Sequence, residues 1–284
     1  MSKKLSTLVE DIYSLFNKGG HEVNEENLQL ALTNIGNSIR KSLKETNNRD
    51  NTSLRMSSIG TKNRKLWYIH NLPKENQEVI KGPTAIKFMY GHILEELVLL
   101  LAKESGHTVE GEQDEFEIDG VLGHRDGKID GVTVDVKSAS KWSFQKFDKG
   151  SLFKDDPFGY IAQISSYIQA GGDEEGAFVA INKETGDIVI LPVSKIDTID
   201  AATRVKEVKA IVELKEPPKE KCYEPVPNGT SGNMVLDKNC GWCPFKEICW
   251  ADANGGIGLR KFKYSNGIEY FTQIVKEPKV EELQ

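Results

Sequence analysis

From residue 25 to 46 apolar side chains recur at helical spacing, with Leu28, Leu32, Ile35, Ile39 and Leu43 on one stripe and Asn24 placed to cap the start. A second run, from about Thr84 to Ser105, sets Ile86, Met89, Ile93, Leu97 and Leu100 on a face predicted to be buried, and Gly106 ends it. Between these helices, 47–53 reads as a loop, Arg55–Tyr68 as a short basic helix and Lys74–Gly82 as an exposed connection. The period then falls to two, giving strands near 114–118, 121–129 and 132–138. Trp142–Asp156 reads as a loop and Phe158–Ala170 as a helix. Ala177–Ile181 and Ile188–Val193 form a hairpin across Asn182–Gly186, residues 196–214 a helix, and Lys261–Tyr264 with Ile268–Ile274 a second hairpin around an Asn-Gly turn. The last ten residues read as mobile. Helix, three strands, helix, strand is the order of an α/β fold with a central mixed sheet flanked by helices.

The third strand candidate carries the chemistry. In Val132–Lys137 the valines point to a core, and Thr133, Asp135 and Lys137 share the other face. Asp126 lies nine residues before Asp135, at the end of Gly123-His-Arg-Asp126. Two carboxylates on a rigid sheet can hold a divalent metal beside a phosphodiester, with the Val136 carbonyl as a further ligand. Lys137 can orient or deprotonate the water, or neutralise developing charge. An isolated Asp-x-Lys triplet is most often a surface ion pair, but two further motifs accompany this one. Gly91 and Glu95 share a face of the long helix, where Glu95 can complete the metal shell while the adjacent His92 points elsewhere. Gln163 and Tyr167, again four apart, can hydrogen-bond the lysine, a phosphate or the metal-bound water.

Composition adds limits. Hydrophobic residues make up 38% and charged residues 28%, as in an ordinary globular protein. There is no apolar run long enough for a membrane span and no apolar start suited to a secretory signal, so a cytoplasmic location is expected. The net charge of −6 argues against a general polyanion binder, yet Arg55, Lys62, Arg64 and Lys65 form an acid-free patch. Arg55, Arg64 and Lys65, helped by Ser57 or Ser58, are candidates to grip phosphates, and Trp142 and Phe144 to stack on unpaired bases. The four cysteines, Cys222, Cys240, Cys243 and Cys249, lie within 28 residues. That clustering points to a tetrahedral thiolate site, and the spacing leaves Zn²⁺ and an iron–sulfur cluster both open.

The glycine–glutamate helix, Gly-x-x-Asp126, Asp135-x-Lys137 and Gln163-x-x-x-Tyr167, in this order, resemble the RecB-type branch of the PD-(D/E)XK nuclease superfamily, over roughly residues 55–250. The overall organisation is similar to phage-encoded exonucleases of that superfamily. The resemblance implies a restriction-endonuclease-like core and dependence on Mg²⁺ or Mn²⁺. It implies metal binding by Asp126, Asp135 and Glu95, catalysis by Lys137, and support from Gln163 and Tyr167. Many RecB-type members carry histidine where Glu95 stands. It further implies a DNA substrate, met at ends or as single strands, in phage-type recombination, replication or degradation. A single-strand-binding or recombination protein is an expected partner, and host cytoplasm the expected location. Cys240-x2-Cys243-x5-Cys249 resembles the iron–sulfur staple of AddB-like and CRISPR-associated nucleases, so a 4Fe-4S cluster is favoured over Zn²⁺. Those families take their first cysteine from a Cys-x-Arg upstream; here Lys62-Asn63-Arg64 stands in that place and Cys222 substitutes. The expected organisation is a helical extension over 1–53, a nuclease core over 54–215, the four-cysteine module over 216–252, and a hairpin and tail over 253–284. A structure-specific endonuclease and a non-catalytic DNA-binding or assembly subunit are the competing readings.

Overall fold

The computed structural model describes residues 3–17, 19–45, 53–73 and 79–283. The loop read over 47–53 lies outside these up to residue 52, as does 74–78 of the following connection. The chain forms two compact units, one of residues 1–60 and 79–209, the other of 61–78 and 210–284.

The first unit is mixed α/β. Helices α1 (Leu8–Asn17), α2 (Glu25–Glu45) and α4 (Gly82–Glu104) precede strands β1 (Val109–Glu110), β2 (Glu115–Ile118), β3 (Val121–His124), β4 (Gly127–Ile129) and β5 (Val132–Ala139); α3 (Asn63–Asn71) belongs to the second unit. Helices α5 (Lys141–Asp148) and α6 (Tyr160–Ala170), strands β6 (Gly176–Asn182) and β7 (Ile188–Val193), and helix α7 (Ala201–Val212) follow. Among the described residues the central sheet has five strands in the order β1-β4-β5-β6-β7. Only β5 and β6 run parallel, joined by the crossover that contains α5 and α6. A core lies on each face of this sheet. Val134, Val136, Val179 and Ile181 pack against Leu8 and Ile12 of α1 and Val98, Leu99 and Ala102 of α4. Ala139, Phe178 and Ala180 pack against Phe147 of α5 and Ile164 and Ile168 of α6. The expectation of a central mixed sheet flanked by helices therefore holds.

Several local expectations change. The strand expected over 121–129 is two strands: β3 pairs with β2 in a separate hairpin, and β4 enters the central sheet. The chain crosses between the sheets at Arg125–Asp126. Arg125 is buried there and donates to Thr133 Oγ1 at 3.1 Å and to Asp114 Oδ2 at 2.6 Å. The Trp142–Asp156 segment is not a loop but α5 and a 3-10 turn at Ser151–Phe153, because Phe144 and Phe147, three apart, both reach the core. The expected basic helix over 55–68 breaks into a 3-10 turn at Met56–Ser58 and α3 (Asn63–Asn71). On α4 the buried side holds Glu96, Val98, Leu99 and Ala102, while Ile86 and Leu97 are exposed. On α2, Leu32 and Leu43 are exposed and Ala31 is the buried residue, although Asn24 does cap the helix through the N–H groups of Glu26 and Asn27. In both helices the true face is rotated because it contains small or polar residues that the apolar periodicity does not register.

The second unit holds α3, the short helices α8 (Lys238–Gly241), α9 (Lys246–Cys249) and α10 (Ala253–Gly256), and an antiparallel sheet. Its strands β8 (Val226–Pro227), β9 (Met234–Val235), β10 (Arg260–Tyr264), β11 (Gly267–Gln273) and β12 (Glu282–Leu283) lie in the order β12-β10-β11-β9-β8. The Asn-Gly hairpin forms as expected. The last residues are more ordered than expected: β12 pairs with β10, and Arg260 binds both Glu277 and Glu282.

Candidate active site

Strand β5 is central and covered on both faces, so Thr133 and Asp135 are buried and Lys137 is largely covered. Asp135 has a side chain with 0% exposure. Its Oδ2 lies 2.5 Å from Lys137 Nζ, and among the described residues neither oxygen accepts an aligned hydrogen bond. A buried carboxylate is costly to keep charged, and the Lys137 ammonium offsets part of that cost. Lys137 Nζ also donates to Gln163 Oε1 at 3.3 Å, and Gln163 Nε2 donates to Tyr167 Oη at 3.2 Å. The helical spacing of Gln163 and Tyr167 thus becomes a hydrogen-bonded chain that ends on the lysine. Tyr167 is itself buried.

Asp126 reaches this centre from the crossing point between the two sheets, where its Oδ2 accepts the Val136 N–H at 2.7 Å. Glu95 comes from α4 and is held by Gln113 Nε2 at 3.0 Å, with His92 Nδ1 3.8 Å from its other oxygen. The neighbouring Glu96 instead turns toward α2 and accepts from Asn34 at 3.0 Å. Gly91 faces Ser138 of β5 with room for a Cβ at an ordinary 3.8 Å.

The electrostatics follow from two aspartates around one ammonium, with the Glu95 carboxylate acting on both aspartates. Burial, then the charges of Glu95 and Asp135, push Asp126 well above the usual carboxylate range, with Lys137 and the Val136 N–H pulling the other way. Burial also raises Asp135, opposed by Lys137 and assisted by Glu95. Burial works against the Lys137 ammonium, but Asp135 and then Asp126 outweigh it and raise its pKa. Lys137 therefore holds its proton more tightly than a free lysine, and the two aspartates hold theirs more tightly than free carboxyls. All the ligand candidates are hard oxygens, a set that suits Mg²⁺, which binds through one or two carboxylates and keeps several waters. No group of three or more His, Cys, Asp or Glu among the described residues is gathered as tightly as a bound ion would hold it.

Tyr160 is a member of the site that the motifs did not mark. Lys137 Nζ lies 4.8 Å from its ring centroid, and burial raises its phenol, with Lys137 opposing. Its spacing supplies a signal in retrospect, since Tyr160, Gln163 and Tyr167 stand at i, i+3 and i+7 on one face of α6.

The softer candidates are dispersed. Arg55 and Ser57 are exposed at the 3-10 turn, where Ser58 Oγ donates to the Arg55 carbonyl at 2.8 Å. Trp142 is 77% exposed, whereas Phe144 packs into the core. Arg64 and Lys65 belong to the second unit. There Arg64 Nε donates to Cys249 Sγ at 3.2 Å and its Nη1 to the Pro218 carbonyl, and the Lys65 N–H bonds Cys222. The four thiols are free and lie in or beside one apolar cluster with Tyr68, Phe245 and Trp250. Burial and the charges of the other three push Cys240 up to about 12. Cations ring the cluster over aromatic faces: Lys62 on Tyr223, Arg64 on Tyr68, Lys221 on Trp250 and Lys246 on Tyr270. The thiols lie close enough to act on one another inside this collar of cations.

No protein-family model matches the chain, and no curated protein does. Among solved structures it is similar to SSO0001, at 17% identity and a TM-score of 0.41, over 78% of this chain and 96% of that one. It is similar to an alkaline exonuclease (LHK-Exo) from Laribacter hongkongensis, at 16% identity and a TM-score of 0.34, over 57% and 87% of the two chains. A phage related exonuclease from Haemophilus somnus 129PT aligns at 15% identity and a TM-score of 0.37, over 58% and 92%.

Proposed function

We propose that this protein is a metal-dependent deoxyribonuclease that hydrolyses phosphodiester bonds, acting as an exonuclease. The observation that carries the reading is the cluster of Asp126, Asp135 and Lys137, with Glu95 acting on both aspartates, in which Asp135 is fully buried and paired with the Lys137 ammonium. One or two Mg²⁺ (or Mn²⁺) held by Asp126, Asp135, Glu95 and the Val136 carbonyl would supply charge neutralisation and an activated water. Lys137, kept protonated by its two aspartates, places positive charge where the pentavalent phosphorus gathers negative charge. Gln163 fixes the direction of that ammonium, and Tyr167 fixes Gln163. Arg55 and Ser57, exposed at the 3-10 turn, are the phosphate grips of this reading in the first unit.

The four cysteines form the second element of the proposal. A 4Fe-4S cluster or Zn²⁺ held by Cys222, Cys240, Cys243 and Cys249 would bind the segments of the second unit together, including α3 through Arg64. Its role is structural. The exonuclease character rests on the motif resemblance. The test is digestion of end-labelled linear and closed circular DNA with Mg²⁺, by the wild type and by Lys137→Ala. Shortening of linear DNA alone, abolished by the substitution and by chelator, supports the reading, and the label gives the polarity. Nicked circles would replace it with an endonuclease; no cleavage of any DNA would leave a binding subunit.

A further inference from the structure

One exposed aromatic stacks on the ring that lies beside the lysine. Phe158 stacks on Tyr160 with centroids 5.4 Å apart and an interplanar angle of 24°, and the Tyr160 ring in turn lies against Lys137 Nζ. Tyr160 continues inward to Phe147 and Phe178 in the core. Phe158 is thus the outermost ring of a stack that runs from the core past the ammonium, and it remains 61% exposed.

Single exposed aromatics are ordinary on protein surfaces, but this one is held in place. Asp156 accepts the N–H of Gly159 at 2.9 Å and that of Ile161 at 2.8 Å, so one carboxylate clamps both sides of the turn that opens α6. Gly159 has φ +77°, and a Cβ on it would come within 2.5 Å of the Gly60 backbone. A Cβ on Gly60 would come within 2.4 Å of Gly159. The two backbones meet without side chains between them, which pins the turn from below. A rigid, exposed ring costs little entropy when a planar ligand settles on it.

We propose that the free face of Phe158 is a stacking platform for an unpaired base of the nucleotide held at Lys137, which makes single strands or frayed ends the preferred substrate. The inference rests on the reading of this centre as a nucleic-acid site. A paired base inside a duplex has both faces covered, whereas an unpaired one offers a face to an aromatic side chain, and such stacking is tolerant of sequence. Trp142 is exposed on α5 but makes no ring contact with the Lys137 stack among the described residues, so the platform is assigned to Phe158.

The experiment is equilibrium binding of two labelled single-stranded oligonucleotides, one normal and one abasic throughout, with Ca²⁺ in place of Mg²⁺. Wild type, Phe158→Ala, Phe158→Leu and Phe158→Tyr are compared. Phe158→Ala and Phe158→Leu are expected to weaken binding of the normal strand by about 5- to 150-fold and to leave the abasic strand unchanged. Phe158→Tyr, which keeps an aromatic face, should bind like the wild type. Equal losses on both strands, no loss on either, or no binding by the wild type would overturn the platform. A base-dependent loss in these variants together with a wild type that hydrolyses no DNA with Mg²⁺ would support the platform and remove the nuclease reading alone.

Discussion

Asp135 and Lys137, two residues apart on β5, form an ion pair at 2.5 Å in which the carboxylate is fully buried and the ammonium keeps a second partner in Gln163. Alternation places both on one sheet face, and the helices over that face remove them from water. The pair is therefore a fixed charge arrangement rather than a mobile surface bridge. Lys137→Ala should lower kcat by about 10²- to 10⁴-fold with little change in DNA affinity. Lys137→Arg should not restore it, because a planar guanidinium does not reproduce a compact ammonium beside Asp135 and Gln163. Single-turnover rates and binding titrations on the same variants separate the two quantities. Equal losses in both would reassign Lys137 to substrate binding.

The raised carboxyl pKa of Asp126 has a stability consequence of definite sign. A carboxyl with a folded pKa above its unfolded value holds its proton more tightly in the fold. Its contribution is fully favourable below the unfolded range near about pH 4 and is lost as pH rises through the folded pKa. At neutral pH without divalent metal, Asp126→Asn should raise the melting midpoint, by about 2–4 °C for each kcal/mol gained. The gain should disappear in acid. Adding Mg²⁺ should raise the wild-type midpoint and leave that of Asp126→Asn in place. A variant that melts below the wild type at neutral pH would show that its bond to the Val136 N–H outweighs burial.

Gly60 and Gly159 make a prediction about the site from outside it. Alanine at Gly159 meets both a positive φ and the Gly60 backbone, so it should cost about 2–4 kcal/mol. Gly60→Ala meets the same contact from the other side. The double variant should cost less than the two single losses combined, since both break one contact. Denaturant titrations of the three variants measure this coupling.

The cysteine cluster predicts a metal in the purified protein. Anaerobic preparation should yield iron and sulfide with visible absorbance, or zinc without it, in amounts near one centre per chain. Cys240→Ser should abolish the centre and lower the thermal midpoint of the second unit, as chelation should. Wild type free of both metals, with unchanged melting after chelation, would show that the four thiols serve as apolar packing.

The grouping of Gln163 with Tyr167, and of Asp135 with Lys137, needed no tertiary information. Helical and strand periods place each pair on one face, and that is a local property of the chain. The same holds for the Asn24 cap and the two hairpins. The sequence by itself also determined the α/β class, because alternating runs with those periods pack stably in few ways. What only the tertiary structure decided was which face meets what. The buried sides of α2 and α4 are set by close packing through Ala31 and Ala102, residues that give little signal in an apolar pattern. Arg125 interrupts what reads as one strand because its buried guanidinium bonds Thr133 on β5 and Asp114 ahead of β2. That interruption is also what brings Asp126 to the Val136 N–H. Tyr160 joins Lys137, and Phe158 joins Tyr160, only because the crossover returns α6 over β5. Such contacts depend on the path of the chain between elements, and no local period records it.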